Sequence, residues 1–462
     1  MKIKNICCIG AGYVGGPTMA VIALKCPDLN VHVVDISKEK IDAWNDNDTS
    51  RIPVKEDGLE EIISKVRNKN LFFSTNVDKA ITESEMIFIA VNTPTKSEGK
   101  GKGMAADLKY VESSAKTIAK VAKTDKIVVE KSTLPVRTAE KLQEILSKHS
   151  QSNVKFDIIS NPEFLAEGTA IQDLFKSDRV LIGGDQTKRG KTAVKALVDI
   201  YKKWIPLDKI ITTNIWSSEL SKLASNAMLA QRISSVNSLS ALCEATGADI
   251  DEVSNVMGLD KRIGSSFLKA SVGFGGSCFQ KDILNLVYIC RTYNLNEVAE
   301  YWEQVIKINN YQKSRFSKKL LGLDHGSNIT ILGWAFKKDT NDSRESAAIY
   351  VSEILLNNNI TIHIYDPLVS EKRILLDLKL LFEHKNFSKK DIQNKLSMVN
   401  IYKTHNEAIN KSKVIGIVTE WDEFIEYNWE EISQRSNISL VDGRNILGQR
   451  LNKINNIKYF KL

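Results

Sequence analysis

The sequence has 462 residues, of which 42% are hydrophobic and 26% are charged, with 24 glycines and 8 prolines. This length allows about three domains, and the composition excludes a disordered or fibrous chain. The formal net charge of +8 comes from basic residues scattered along the chain. They form no interleaved platform of arginines and aromatic rings of the kind that binds single strands, so we expect no nucleic-acid partner.

The sequence carries no sign of a membrane segment or a metal site. No apolar run reaches the ~18 residues that span a bilayer, and the short apolar start is read as a strand instead of a signal peptide. The six cysteines lack the paired spacing of metal ligands, and a chain of this size without a secretion signal keeps them reduced. We therefore expect a cytoplasmic protein with no membrane association and no bound metal.

The first segment has the pattern of a dinucleotide-binding turn. A predicted strand at residues 6–9 runs into Gly10, Gly12 and Gly15, and a predicted helix follows. Asp35 ends a second predicted strand about 20 residues further on, where a carboxylate binds a ribose hydroxyl. This acid favours NAD over NADP, because it would repel the additional phosphate. The segment therefore predicts an NAD site.

Further strands are predicted at residues 86–91, 126–130 and 156–160, and we expect them to extend one parallel sheet. Ligands of open α/β sheets bind at the carboxyl edge, so Thr133 is expected beside the cofactor. Glu163 and Glu167 follow the last of these strands and are candidates for acid–base chemistry or ribose binding. A pair of acids that complements a helix dipole is the alternative, and it suits Glu167 better.

A long helix is predicted at residues 217–246, closed by Gly247. Lys222 and Asn226 are one turn apart on it, so both side chains can point at one substrate atom. An exposed lysine and a helix-interior asparagine are the alternative interpretation. Position alone does not decide between the two.

Cys278 follows two glycines and precedes a helix that we predict to begin near Lys281. Glycines let a ligand reach backbone N–H groups, and the positive end of a helix favours the thiolate. Asp282 is expected on the same helix face as Cys278. A buried structural cysteine is the alternative, since most free cysteines are of that kind.

A second α/β unit follows, with predicted strands at residues 329–333, 360–365 and 414–418 and a closing strand at 439–444. Its opening turn lacks the spaced glycines and adds lysines, which predicts a nucleotide held by charge and no second dinucleotide site. We place Arg344 at a helix start. Asp366 resembles the ribose-binding acid, but Asp-Pro is also a common turn, and we assign it no role.

Together, the motifs at residues 10–15, 161–168, 218–226, 267–282 and 336–344 resemble the UDP-glucose/GDP-mannose dehydrogenase family over nearly the whole chain, and its animal-type members most closely. The resemblance implies an α/β fold of two Rossmann-like, doubly wound parallel-sheet domains joined by the long central helix. It also implies an NAD-binding domain at 1–212, a central helical dimerisation region with the catalytic cysteine at 213–323, and a UDP-sugar-binding domain at 324–462.

The activity implied by the resemblance is the four-electron oxidation of UDP-glucose to UDP-glucuronate by two NAD⁺. Lys222 and Asn226 would polarise the sugar oxygen, and Cys278 would form a thiohemiacetal and then a thioester. Asp282, Thr133 and Glu163 would position water and transfer protons. The division of these roles between Glu163 and Asp282 stays open.

The binding residues implied by the resemblance form two sets. The NAD contacts are Gly10, Ala11, Gly12, Tyr13, Val14, Gly15, Asp35, Lys40, Val91, Asn92, Thr93, Pro94, Thr95, Ser132, Thr133, Glu167, Cys278 and Arg344. The UDP-sugar contacts are Glu163, Phe164, Leu165, Lys222, Asn226, Arg262, Lys269, Phe274, Gly275, Phe279, Phe336, Lys337 and Arg444.

The resemblance also implies an oligomer. Arg262 would reach a neighbouring subunit's diphosphate, in a homodimer that forms around the long helix and assembles into a homohexamer. Residues 131–137 resemble the allosteric switch at which UDP-xylose inhibits the animal enzymes.

Three other functions compete with this one. A related dehydrogenase acting on UDP-N-acetylmannosamine or GDP-mannose would keep the cysteine and the lysine. A two-electron hydroxy-acid dehydrogenase would not need Cys278. A nucleotide-sensing protein without activity would not need the set of polar residues at all.

Overall fold

The computed structural model describes residues 2–150, 154–166, 168–323, 326–435, 437–448, 451 and 454–462. They form two compact units, Met1–Ser225 and Asn226–Leu462. The division into three domains at 212/213 and 323/324 stays a prediction. Within the described residues, no helix is both long and apolar enough to cross a bilayer.

The first unit is built from eight strands, namely β1 (Asn5–Ile9), β2 (Asn30–Val34), β3 (Leu71–Ser74), β4 (Met86–Ile89), β5 (Lys126–Glu130), β6 (Phe156–Ser160), β7 (Val180–Gly184) and β8 (Ile210–Asn214). Its helices are α1 (Gly15–Lys25), α2 (Lys38–Trp44), α3 (Leu59–Val66), α4 (Val77–Glu83), α5 (Lys109–Val121), α6 (Thr138–His149), α7 (Ala170–Phe175) and α8 (Lys188–Tyr201), with short 3₁₀ turns at Thr49–Arg51 and Leu207–Lys209.

The strands of this unit form one sheet in the order β3-β2-β1-β4-β5-β6-β7-β8. The strands predicted at 86–91, 126–130 and 156–160 are parallel neighbours as expected, and β7, for which no prediction was made, runs antiparallel to β6. Only two residue pairs, Ile159–Gly184 and Ser160–Gly183, make that ladder. Strand direction leaves no mark in the periodicity of a buried strand, so the sequence could not reveal it.

Strand β1 shows why the central strands of this sheet have continuous apolar sequences. Ile6 and Cys8 face the core on one side of the sheet, and Cys7 and Ile9 face the core on the other. Both thiols are fully buried, and burial raises the pKa of Cys8 to about 12 and that of Cys7 well above its ordinary value. These two cysteines are therefore packing residues.

The second unit contains most of helix α9 (Ile215–Thr246), which begins in the first unit, followed by α10 (Ile250–Leu259), α11 (Phe279–Thr292) and α12 (Asn296–Leu321). Its strands are β9 (Asn328–Leu332), β10 (Thr361–Tyr365), β11 (Val399–Ile401), β12 (Val414–Ile417), β13 (Ile438–Asp442) and β14 (Ile457–Lys461). The helices between them are α13 (Ala347–Asn357), α14 (Glu371–His384), α15 (Lys389–Leu396), α16 (His405–Ile409), α17 (Asp422–Glu426) and α18 (Trp429–Arg435).

The second sheet is parallel throughout, in the order β11-β10-β9-β12-β13-β14. The expectation that the strand at 439–444 closes the sheet is wrong, because β14 pairs with β13 and forms the edge. An edge strand pairs with one neighbour only and can therefore carry polar residues. Because β14 is polar, its sequence did not show the pattern of a strand. Phe316 and Leu320 of α12 pack into the core of this sheet.

Two helix starts differ from the prediction while the long helix α9 is confirmed. Helix α11 begins at Phe279, earlier than Lys281, and Cys278 takes its N-cap position. Arg344 does not lie at a helix start, because α13 begins at Ala347 with the Ser346 side chain accepting the cap hydrogen bond. Serine is a better cap than arginine, which fixes the start of α13.

Candidate active site

The glycine turn after β1 leaves room for a ligand on one side. Gly10 has a φ of 110°, and a Cβ there would lie 2.3 Å from the Ala90 carbonyl oxygen. A Cβ on Gly12 would meet no other described residue within 4 Å. The turn thus packs tightly against β4 and stays open above Gly12, which fits a pyrophosphate approaching the start of α1. Tyr13 beside it is partly exposed, and Val14 caps α1.

Asp35 at the end of β2 is held in its ionised form. Its carboxylate accepts hydrogen bonds from the Ala11 N–H at 3.0 Å, the Ser37 N–H at 3.0 Å and Lys40 Nζ at 2.9 Å. Burial acts to raise the pKa of Asp35, but these hydrogen bonds outweigh it and hold the pKa below its ordinary value. An ionised acid here fits a ribose hydroxyl and repels a 2′-phosphate.

The carboxyl ends of β4 and β5 form a second part of the predicted cofactor site. Ser132 Oγ donates to the Val91 carbonyl at 2.6 Å, and Thr93 Oγ1 donates to the Thr133 carbonyl at 3.2 Å. These bonds join the loop that holds Asn92, Pro94 and Thr95 to the segment after β5. Glu167 lies outside the described residues.

Lys222 and Glu163 form a buried pair in the first unit. Lys222 Nζ lies 3.7 Å from Glu163 Oε1, and the two side chains are 6% and 11% exposed. Glu163 Oε2 has no hydrogen-bond partner among the described residues, so one carboxylate oxygen remains available. The Phe164 ring lies between cations, with Arg179 Cζ at 3.9 Å and Lys222 Nζ at 5.1 Å from its centroid. Leu165 packs against the core.

Lys131 is a buried cation next to this pair that sequence reasoning missed. Burial lowers the pKa of Lys131 to about 8, Glu163 acts against that effect, and Lys222 adds to it. Its Nζ lies 3.4 Å from Asn161 Oδ1, which also accepts from the Tyr201 hydroxyl at 2.8 Å. A lysine directly after a fully buried strand at the carboxyl edge was the available signal.

Two buried acids lie under the segment that starts α6. Glu219 accepts from the Arg137 N–H at 2.6 Å and the Ala139 N–H at 2.8 Å. Neither oxygen of Glu130 has a conventional hydrogen-bond partner among the described residues. Burial raises the pKa of both carboxyls, and for Glu130 the neighbouring Glu219 raises it further. Such a pair holds a proton instead of two negative charges.

In the second unit, three predicted catalytic residues lie together. Cys278 caps α11 and is exposed, with Ser277 Oγ 3.5 Å from its sulfur. The Asp282 N–H donates to the Cys278 carbonyl at 2.9 Å, one helical turn on. The Asp282 carboxylate is 2% exposed and accepts from Asn226 Nδ2 at 2.6 Å, with Lys281 Nζ 3.5 Å from its other oxygen.

The glycine-containing segment that leads to Cys278, residues 274–276, is tightly packed. Asn309 fixes Phe274 from both sides, accepting from its N–H at 2.9 Å and donating to its carbonyl at 3.0 Å. A Cβ on Gly275 would lie 2.6 Å from the Glu345 carbonyl oxygen. The Phe274 and Phe279 rings meet edge to face at 5.8 Å. This approach cannot accept larger residues without moving its neighbours.

The predicted UDP-sugar residues of the second unit divide into two groups. Arg444 is joined to Phe336, because its Nη2 donates to the Phe336 carbonyl at 3.0 Å, and Lys337 Nζ lies 5.9 Å from the Phe336 ring. Arg262 is 89% exposed and pairs with Asp260 at 2.6 Å. Lys269 is also exposed. The backbone of Arg344 belongs to the thiol region, since its carbonyl accepts from the Gly276 N–H at 2.9 Å.

The open turn above Gly12 and the ionised Asp35 are the features of an NAD-dependent oxidoreductase, and the second sheet adds a nucleotide-binding architecture of a different kind. Family models match the chain in three consecutive parts. The NAD binding domain of the UDP-glucose/GDP-mannose dehydrogenase family matches residues 4–205, its central domain 216–311 and its UDP binding domain 330–449. The chain belongs to this family and uses NAD.

Curated relatives support the assignment at the level of whole chains. The chain is 54% identical to UDP-glucose 6-dehydrogenase 5 of Oryza sativa subsp. japonica, covering 98% of this chain and 96% of the relative. It is 52% identical to UDP-glucose 6-dehydrogenase of Bos taurus, covering 99% and 92%. A solved UDP-glucose dehydrogenase from Pyrobaculum islandicum superposes with a TM-score of 0.83 at 28% identity, covering 100% and 97%, which confirms the fold class.

Proposed function

We propose that this chain oxidises UDP-glucose to UDP-glucuronate, with one water and two NAD⁺ consumed and two NADH and three protons released per sugar. The relatives named UDP-glucose 6-dehydrogenase support the substrate. The observation that carries the four-electron chemistry is the exposed Cys278 thiol at the start of α11, one turn from the buried Asp282–Asn226 pair. A two-electron alcohol dehydrogenase has no use for such a thiol.

In the first oxidation, Lys222 and Asn226 bind the C6 oxygen of the sugar. A bridging water carries the hydroxyl proton to solvent, and Lys222 and Asn226 donate hydrogen bonds to the oxygen as negative charge develops. NAD⁺ held at the Gly10–Gly15 turn and Asp35 would supply the hydride acceptor for each oxidation at C6. The sugar is then an aldehyde, and Lys222 polarises its carbonyl.

In the second oxidation, Cys278 supplies the covalent step. Its sulfur adds to the aldehyde carbon, and the carbonyl oxygen takes a proton to give a thiohemiacetal. Loss of hydride and of that proton leaves a thioester on Cys278. Water then adds to the thioester carbon, the carbon–sulfur bond breaks, and the acid and the thiol are released.

We assign the activation of this water to Glu163. Its Oε2 has no hydrogen-bond partner among the described residues, whereas Asp282 is held by Asn226 on one oxygen and approached by Lys281 on the other. A base needs a free lone pair, so Glu163 suits proton removal and Asp282 suits the positioning of Asn226. Thr133 would help to orient the water.

The test is the yield of NADH per UDP-glucose in Cys278→Ala. We expect two NADH in the wild type, and in the variant at most one together with an aldehyde product, with turnover to UDP-glucuronate lowered by at least about 100-fold. Cys290→Ala is the matched control, since this buried cysteine of α11 should leave the yield at two. Formation of UDP-glucuronate by Cys278→Ala at an undiminished rate would contradict the proposal.

A substrate panel separates this function from its competitors. We expect UDP-glucose to be oxidised far faster than UDP-N-acetylmannosamine or GDP-mannose. A single NADH per sugar in the wild type would instead indicate a two-electron dehydrogenase. No NADH with any of these nucleotide sugars would indicate a sensing protein.

We further propose a homodimer formed around α9 and assembled into a homohexamer. The exposed apolar residues Met228, Leu242, Val256 and Leu259 on α9 and α10 support a surface that a second copy covers. In such an assembly Arg262 would reach the neighbour's substrate. Sedimentation velocity, with and without substrate, would give the assembly directly.

The resemblance of residues 131–137 to an allosteric switch supports inhibition by UDP-xylose, which a titration of the initial rate would measure. A reactive thiol such as Cys278 needs a reducing compartment, so we place the enzyme in the cytoplasm. Imaging of a fluorescent fusion would check that location.

A further inference from the structure

A carboxylate that no step above uses contacts the helix that begins at the thiol. Glu345 belongs to the turn between β9 and α13, and it has a φ of 54°, a left-handed conformation that residues with side chains rarely adopt. Two of its parts reach the Cys278 region. Its carbonyl oxygen packs against Gly275, and its carboxylate reaches the first turn of α11.

The backbone contact is close and specific. A Cβ on Gly275 would lie 2.6 Å from the Glu345 carbonyl oxygen, so only a glycine allows this approach. One residue earlier, the Arg344 carbonyl accepts from the Gly276 N–H at 2.9 Å. The left-handed turn at Glu345 therefore sets the path of the two glycines that lead to Cys278.

The side-chain contact fixes the helix that follows the thiol. Gln280 Nε2 donates to Glu345 Oε2 at 2.7 Å, and the Tyr350 hydroxyl donates to the same oxygen. Gln280 is the second residue of α11, and Cys278 is its N-cap. The carboxylate is therefore hydrogen-bonded to the first turn of α11, two residues after Cys278.

A buried lysine balances the charge of this carboxylate. Lys313 of α12 is 2% exposed, and its Nζ lies 3.9 Å from the centroid of the Tyr350 ring. It has no hydrogen-bond partner among the described residues. Burial lowers the pKa of Lys313 to about 8, and Glu345 acts against that effect. The Tyr350 ring and the nearby carboxylate favour the charged form of Lys313.

We propose that Glu345 is a positioning residue for the Cys278 thiol, holding the glycine approach with its backbone and the start of α11 with its carboxylate. The thiol must approach the aldehyde carbon from one face of its carbonyl group, and small displacements of a nucleophile cost large factors in rate. The carboxylate contacts Gln280 and Tyr350, so its effect passes through Gln280 and the helix terminus.

The inference rests on the proposed function, and its test therefore combines turnover with a readout that needs no substrate. Glu345→Ala should lower kcat about tenfold and leave KM for UDP-glucose within about twofold, because the grip on α11 is lost while the sugar contacts remain. Glu345→Gln keeps an acceptor oxygen for Gln280 and should restore most of kcat. The alkylation rate of Cys278 by iodoacetamide, followed by peptide mass spectrometry, should fall about threefold in Glu345→Ala.

Glu353→Ala is the matched control, because it removes a buried carboxylate of α13 whose hydrogen bond comes from Lys385, at 2.5 Å, and not from Gln280. It should leave both kcat and the alkylation rate within about twofold of the wild type. Equal behaviour of Glu345→Ala and Glu353→Ala in both measurements would overturn the inference.

Should Glu345→Ala fail to fold, Gln280→Ala removes only the amide donor and should show the same pattern at smaller amplitude. A Gln280→Ala variant with wild-type kcat and alkylation rate would overturn the inference. Full four-electron turnover by Cys278→Ala would overturn the proposed function instead, and the alkylation comparison would still report on the positioning by Glu345.

Discussion

The opening turns of the two sheets share a backbone plan and differ in what fills them. In the first, Gly10 has a φ of 110° and the Ala11 N–H donates to Asp35. In the second, Gly333 has a φ of 95° and the Trp334 N–H donates to Asp366 at 2.6 Å. The acid after the second strand of each sheet therefore anchors the turn in both units.

The difference lies in the residues after each glycine. Among the described residues, no atom beyond the chain neighbours of Gly12 lies within 4 Å of a Cβ placed on it. In the second turn, Trp334 is fully buried and its indole N–H donates to Asp377 at 3.0 Å, while the Ala335 carbonyl accepts from Thr419 at 2.6 Å. One turn is left open for a ligand, and the other is closed by its own side chains. The glycine with positive φ and the anchoring acid therefore build the turn in both units. Binding of a dinucleotide additionally needs the open space that only the first turn has.

The largest effect on activity is expected from a side chain that fills the open turn at Gly12. Gly12→Val adds a side chain where no protein atom lies within 4 Å, so the protein should fold while the pyrophosphate site is blocked. We expect kcat/KM for NAD⁺ to fall about 1000-fold, or about 4 kcal/mol, with a thermal midpoint close to the wild type. A variant that keeps its NAD⁺ kinetics would show that the dinucleotide does not cross this turn.

Asp35 and Asp366, the acids that anchor the two turns, should respond differently to loss of their charge. Asp366 accepts from Trp334, Ala335, Leu368, Val369 and the Trp421 indole, all within the second unit. Asp366→Asn should cost about 3 kcal/mol of stability, because an amide cannot accept all of these bonds. Thermal and urea unfolding measure the loss. Unfolding curves that overlay those of the wild type would refute a purely structural role.

Asp35→Asn should instead alter cofactor choice. The variant loses the negative charge that disfavours a 2′-phosphate, so the preference for NAD⁺ over NADP⁺ should shrink about tenfold, equal to about 1.4 kcal/mol. Stability should change less than in Asp366→Asn, because Lys40, its charged partner, is partly exposed. The ratio of kcat/KM for the two cofactors is the measurement, and an unchanged ratio would assign the preference to other residues.

The smallest expected effect concerns the acid pair of the first unit, Glu130 and Glu219. A carboxyl with a raised folded pKa contributes stability fully below its unfolded pKa, and this contribution is lost as pH rises to the folded value. For Glu219 this window runs from 4.5 to about 7. Stability from this source should therefore fall as the pH rises across that range.

Glu130→Gln tests this by removing one of the two acids while keeping its shape. At pH 8 the variant should be more stable than the wild type by about 1 kcal/mol, and at pH 4.5 the gain should vanish. Thermal midpoints at the two pH values check the sign. A gain that is the same at both pH values would show that the two carboxyls do not compete for charge.

The sequence predicted the first turn well because glycine spacing and the acid after β2 are local patterns. It also predicted α9 and its lysine–asparagine pair, because a helix of that length shows its periodicity clearly. Lys131, Glu345 and Lys313 were missed because their significance comes from burial and from partners distant in the chain. Asp366 was left without a role because an Asp-Pro turn and an anchoring acid look alike until the hydrogen bonds are seen.

Trp334 also sets a limit for anyone who wishes to engineer a second cofactor site. Its side chain is fully buried, so Trp334→Gly would leave a cavity in the interior of the second unit, next to the Asp377 carboxylate. Asp377 would lose its indole donor at the same time. Replacing this turn by a Gly-x-Gly-x-x-Gly motif would thus lower the stability of the second unit without creating a pocket for a cofactor. A redesign would have to begin from the neighbouring helix.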